Sequence, residues 1–200
     1  METAKRRKTK AAGIILIAFG LAFIAAAGGL FAYNTITDKK AGDAAKQIVA
    51  TVEKAGEDSA YDQEANGEPY TVLDGEKYIG VITIPSLDIE LPVQSDWSLA
   101  KLKNSPCRYY GSVVDGTAVI CAHNYQSHFG RLKYASAGDI VYFTDTAGLT
   151  YTYKIASIEQ IDGYDTERMK EPGSWDLTLF TCTYSGRQRL TARLVRVQGY

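Results

Sequence analysis

Cysteine is nearly missing from this chain: three among 200 residues, an odd number too small for a disulfide scaffold. Histidine is scarcer still, at two, and no cysteine or carboxylate joins His123 and His128 at ligand spacing, so no metal site is expected. Five prolines, 46% hydrophobic and 22% charged residues belong to a globular chain and exclude a disordered one. An excess of basic charge is also lacking, the net charge being −1. Five of the bases crowd into the first ten residues (Lys5, Arg6, Arg7, Lys8, Lys10), so the remainder is acidic and a nucleic-acid partner is excluded. The length fits one domain of ordinary size with an appendage and rules out a multidomain machine. What is plentiful is tyrosine, 14 against 6 phenylalanines, which suits pleated, half-wet β-structure.

Residues 11–33 (AAGIILIAFGLAFIAAAGGLFAY) carry no charge. As a helix they extend roughly 34 Å, enough to cross a bilayer core. Alanines 25 to 27 could offer a cleavage site, but the apolar run exceeds the roughly 7 to 15 residues of a signal peptide core, so an uncleaved anchor is expected. The basic residues 1–10 then form a cytoplasmic tail by the positive-inside rule, and everything beyond Asn34 lies outside the cell. Residues 34–76 read as an extracellular stalk and linker. Ala45, Ile48, Val49 and Val52 recur at helical spacing, fitting either a solvated spacer or a stripe packed on the next domain. Residues 61–76 look like a polar linker punctuated by Gly67, Pro69 and Gly75.

From Lys77 the period becomes twofold, clearest where Tyr151, Tyr153 and Ile155 alternate with Thr150, Thr152 and Lys154. About eight strands with short helices near 98–103 and 128–135 predict a mainly β domain over 77–200, closed into a barrel to hide its edges.

Cys182 ends one apolar strand and His123 ends another, GTAVICAH. A nucleophilic cysteine needs its thiolate, and histidine is its usual partner. After the turn TYSGRQ the last strand opens with Arg189, which a hairpin returns beside Cys182. Its guanidinium cannot lose its charge and suits an oxyanion. Arg193 shares its face by parity and stays an alternative. His128 reads as a surface residue and Cys121 as a core residue on the same strand face as His123.

Thr178-Leu179-Phe180-Thr181-Cys182 resembles the TLxTC signature of sortases, membrane-anchored cysteine transpeptidases of Gram-positive bacteria. Ile84-Pro85-Ser86-Leu87-Asp88-Ile89, Leu91-Pro92-Val93 and Ala122-His123-Asn124 with Phe129, Leu132, Gly138 and Asp139 are similar to the family's early strands and histidine region, in the same order. The resemblance covers roughly residues 77–200. It implies an eight-stranded sortase β-barrel in which Cys182 attacks an LPxTG-like sorting signal, forms a thioacyl enzyme, and passes the acyl group to a cell-wall amine. His123 matches the general acid and base, and Arg189, at the start of the last strand, fits the family's arginine better than Arg193. Thr181 and Asn124 are expected to contact substrate. No cofactor is implied. The implied partners are surface proteins bearing sorting signals, a peptidoglycan precursor or cross-bridge amine, and membrane lipid around residues 11–33.

The chain departs from the family pattern in having Ala122 where many relatives have glycine, and in placing Cys121 beside it; all three thiols are expected to stay reduced in the active enzyme. Pilin-polymerising sortases carry an Asp-Pro-aromatic lid ahead of the barrel. Residues 61–76 contain none, so cell-wall anchoring is expected over pilin assembly, and residues 162–175 are expected to set signal selectivity. A secreted cysteine peptidase releasing its acyl group to water is a further alternative, which lacks a reason for the amino-terminal anchor.

Overall fold

In the computed structural model, which describes residues 2–57 and 61–197, the chain forms two units, residues 1–39 and 40–200. Helix α1 covers Glu2–Glu57. Its Gly13–Lys54 stretch is long and apolar enough to cross a membrane, and every residue from Ile14 to Ile36 is exposed. The side chains of the basic tail lie outside the described residues.

In the second unit the helix changes character. Ala41, Ala45, Val49 and Val52 are buried, at the spacing that lines one helical face. Val49 and Val52 pack with Tyr78 and Val81, while Ala45 joins the main core. The stripe read from the sequence therefore packs on the barrel and is no free spacer.

Ten strands follow: β1 (Asp62–Gln63), β2 (Pro69–Leu73), β3 (Glu76–Ile84), β4 (Ile89–Gln94), β5 (Cys107–Tyr110), β6 (Ala118–Ala122), β7 (Ile140–Asp145), β8 (Thr150–Asp162), β9 (Leu177–Cys182) and β10 (Gln188–Arg196). Eight of them close a barrel in the order β3-β4-β5-β6-β9-β10-β8-β7, with β7 pairing back onto β3. Closure leaves no open edge among these eight. The pairs β4–β5 and β6–β9 are parallel and the rest antiparallel. The barrel interior holds Ile79, Ile82, Ile84, Ile120, Phe143, Tyr153, Leu179 and Leu194, all nearly inaccessible.

Strand β3 shows how sequence and packing meet. Ile79 and Ile82 are three apart yet both belong to the core, which strict alternation forbids. The register slips between Tyr78 and Gly80, and Gly80 adopts φ +156°. A Cβ there would stand 2.2 Å from the Thr144 carbonyl oxygen, so only glycine lets β3 and β7 approach at the slip.

Two sequence expectations change. The stretch 61–76, read as a polar linker, carries β1 and β2, and β2 pairs with β3. Glu68 of this stretch is buried and ion-pairs with Arg108, which also holds Glu64 at 3.0 Å and donates to the Ser95 carbonyl at 2.8 Å. The partner lies some forty residues away, so local composition gave no sign of it. His128, read as a surface residue, is fully buried in the loop between β6 and the turn at Phe129, its ring 5.5 Å from that of Tyr125. The two expected short helices form as 3-10 turns at Lys101–Lys103 and Phe129–Tyr134.

Candidate active site

Three strands of the barrel wall bring the chemistry together. Parallel pairing of β6 with β9 sets Ala122 beside Thr181, and one further step along both strands brings His123 and Cys182 abreast. Antiparallel pairing of β9 with β10 sets Arg189 directly opposite Cys182. His123, Cys182 and Arg189 therefore form one lateral row at the rim, and all three are half-buried. They line one cleft of about 280 Å³ together with Trp97, Leu102, Tyr109 and Phe180.

The support beneath the row is specific. The Thr181 hydroxyl donates to the Ala122 carbonyl at 2.9 Å, tying β9 to β6 next to His123 and Cys182. The hydroxyl is thus spent on the backbone, although Thr181 also borders a second cleft. The His123 ring stacks on Tyr125, with centroids 4.8 Å apart and planes 28° from parallel. Burial, with the nearby Lys103 charge adding to it, holds the imidazole pKa below its usual 6.5. A neutral imidazole is accordingly favoured at neutral pH. The Arg189 guanidinium donates to the carbonyls of Gly186 and Gln188 at 2.9 and 3.2 Å. Gly163, at the end of β8, lies beneath it, and a Cβ there would come within 2.8 Å of Arg189 Nη1.

Arg193 takes a different part. It is 1% exposed. Its guanidinium donates to Glu159 at 3.0 Å, to Thr178 Oγ1 at 2.9 Å, and to the carbonyls of Met169 and Arg168 at 3.1 and 2.6 Å. Those carbonyls belong to helix α2 (Thr166–Lys170), which Asp165 caps by accepting from the Arg168 amide. The Arg193 guanidinium thus ties this insertion, whose Met169 lines the apolar cleft, to β8 through Glu159 and to β9 through Thr178. The alternative left by parity is thereby distinguished from Arg189 by burial.

Asn124 borders the second cleft, not the one with His123 and Arg189. The other two thiols are structural in their surroundings. Cys107 and Cys121 are directly paired across β5 and β6. Burial pushes the Cys107 thiol up to about 12 and raises Cys121 as well, so neither forms a thiolate near neutrality. All three cysteines are free. Among the described residues no His, Cys, Asp and Glu cluster could hold a metal ion.

Sequence reading missed the cleft wall. Trp97 and Leu99 sit in the loop between β4 and β5, and Trp97 packs on Tyr109 at 5.4 Å, which in turn meets Phe180 edge-on at 5.4 Å. The available signal was a pair of large apolar residues in a loop, 45% and 73% exposed, where burial alone gives them no role.

Comparison with known proteins bears on the family and the fold. The sortase domain family matches residues 82–197. The chain is 30% identical to sortase A of Staphylococcus aureus over 178 residues, spanning 82% of this chain and 84% of the relative. A lid mutant of sortase A from Corynebacterium diphtheriae superposes with a TM-score of 0.55 at 29% identity, over 61% of this chain and 71% of that one. Sortase C1 of Streptococcus agalactiae superposes with a TM-score of 0.57 at 26% identity, over 64% and 72%. With the family match over more than half the chain, the closed eight-stranded barrel and the Cys182 row at its rim, the chain belongs to the sortase family, whose members are membrane-anchored cysteine transpeptidases of Gram-positive bacteria.

Proposed function

We propose that this chain cleaves an LPxTG-like sorting signal and joins the released carboxyl group to an amine of the cell wall. The observation that carries this is the row His123, Cys182, Arg189 at the end of an apolar cleft. Cys182 attacks the scissile carbonyl and forms a thioacyl enzyme. His123, as imidazolium, protonates the departing amine and, once neutral, takes the proton of the incoming one. Arg189 faces the reacting carbonyl and stabilises its developing oxyanion. The apolar cleft receives the leucine and proline side of the signal, with Gly163, Thr166 and Met169 of the 162–175 insertion as one wall. Thr181 braces the pair, and Asn124 meets substrate on the far side of Cys182.

Residues 11–33 anchor the chain in the membrane with residues 1–10 cytoplasmic, and residues 34–200 stand outside, with 77–200 as the catalytic barrel. Sorting-signal-bearing surface proteins supply the acyl group and a peptidoglycan precursor or cross-bridge supplies the amine. Sortases of both the A and C types share the barrel and leave the choice between anchoring and pilin assembly to the site. Cell-wall anchoring is favoured because residues 61–76 carry no Asp-Pro-aromatic motif and none of them lines either cleft at Cys182.

The test is direct. The full chain in detergent micelles is incubated with LPxTG-type peptides, with and without amines, and its intact mass is followed. A thioester on Cys182 that turns over faster with amine supports the reading. Release to water at a rate indifferent to amine would make the chain a peptidase, and an adduct surviving in Cys182→Ala would remove the nucleophile assignment.

A further inference from the structure

Cys182 stands where two clefts meet, and the second differs in kind from the first. It measures about 430 Å³ and opens between the loop after β6, the 3-10 turn Phe129–Tyr134 and the turn joining β9 to β10. Amides and hydroxyls face it from Asn124, Gln160, Ser185 and Gln188, and among the described residues lining it there is one cation, Lys133, and no carboxylate.

Lys133 is no freely trailing side chain. Its ammonium donates to the Tyr184 hydroxyl at 3.4 Å and lies over the rings of Tyr134 and Tyr184, 4.9 and 5.4 Å from their centroids. Tyr134 closes the 3-10 turn and Tyr184 lies beyond β9, so the charge bridges the two walls. Attraction to the two aromatic faces favours the ammonium at this position over its other solvated rotamers. Both tyrosines are exposed, 66% and 82%, so the mouth is open to a ligand.

We infer that this polar cleft receives the acyl acceptor, and that Lys133 selects an amine bearing a carboxylate close to the attacking nitrogen, as in a diamino acid, over a neutral amine such as a glycine chain. The inference rests on the transpeptidase reading above. In the step concerned, the neutral amine attacks the thioester carbonyl, the new amide C–N bond forms and the C–S bond breaks. Cys182 leaves as thiolate and the proton shed by nitrogen passes to neutral His123. Lys133 takes no part in those bonds. It holds the acceptor's carboxylate at the rim while the amine reaches inward.

The experiment uses the full chain in detergent micelles, loaded as the thioester with an LPxTG-type peptide. Second-order rate constants are measured for diaminopimelate, for its carboxamide counterpart and for triglycine amide. The carboxylate acceptor is expected to react about three- to fivefold faster than the carboxamide at low salt, the range of an exposed ion pair. That ratio is expected to shrink in about 0.5 M salt, to fall toward one in Lys133→Gln and to persist in Lys133→Arg. A ratio of one in the unaltered chain, or a ratio unchanged by Lys133→Gln, overturns the inference and leaves the transpeptidase standing. Failure to form any thioester removes both.

Discussion

Two arginines four positions apart on β10 lie on the same face and have different surroundings. Arg189 is half-buried beside Cys182, whereas Arg193 is sealed beneath α2 with its donors satisfied. Arg189→Lys is expected to lower kcat/KM about a hundredfold with little change in melting temperature, because a point charge cannot reproduce the guanidinium fork at an oxyanion. Arg193→Met is expected to cost about 2–3 kcal/mol of stability, since Glu159 and two carbonyls lose their donor. Thermal melts beside steady-state kinetics separate the two, and a large activity loss without destabilisation in Arg193→Met would mean the wrong arginine was chosen. The protonation of His123 gives a second expectation. In the proposed mechanism the pair reacts with one proton held between thiolate and imidazolium, so kcat/KM is expected to be bell-shaped in pH. With the imidazole held down by burial and by Lys103, the acid limb lies below 6.5, activity being lost as the pair takes up a second proton. A rate rising steadily to high pH would contradict the ion pair.

At the scale of elements, β3 carries the constraint that lets the barrel close. It pairs with β2 through Tyr78, then with β7 from Gly80 onward, while keeping β4 along its other side. Gly80→Ala would drive a methyl into the Thr144 carbonyl and the Asp145 backbone. Backbone does not yield as a side-chain tip does, so a loss of about 2–4 kcal/mol is expected by chemical denaturation. A neutral result would show that β7 can shift away, and with it that closure at this seam is soft.

For the unit of residues 40–200, the helical stripe belongs to the fold. Ala45, Val49 and Val52 are buried and cover part of β3. A soluble piece beginning at residue 40 is therefore expected to be about 2–3 kcal/mol more stable than one beginning at residue 61, from the apolar area that the shorter piece exposes. Equal midpoints in urea would mean that the helix contributes nothing to the barrel.

The architecture was legible along the chain in the twofold alternation of residues 150–155, the apolar run at 11–33, and the endings of two strands in His123 and Cys182. These patterns are local, since alternation and helical length follow from backbone geometry alone. Features set by long-range packing emerged with the folded barrel alone. It buried His128, which five residues of spacing could not distinguish from a surface group, and it paired Glu68 with an arginine forty residues on. It turned a stalk stripe into core, and it gathered Trp97, Tyr109 and Phe180 from separate segments into one cleft wall. One cause underlies all four: burial depends on which surfaces meet, and in a closed barrel those surfaces come from residues distant in the chain.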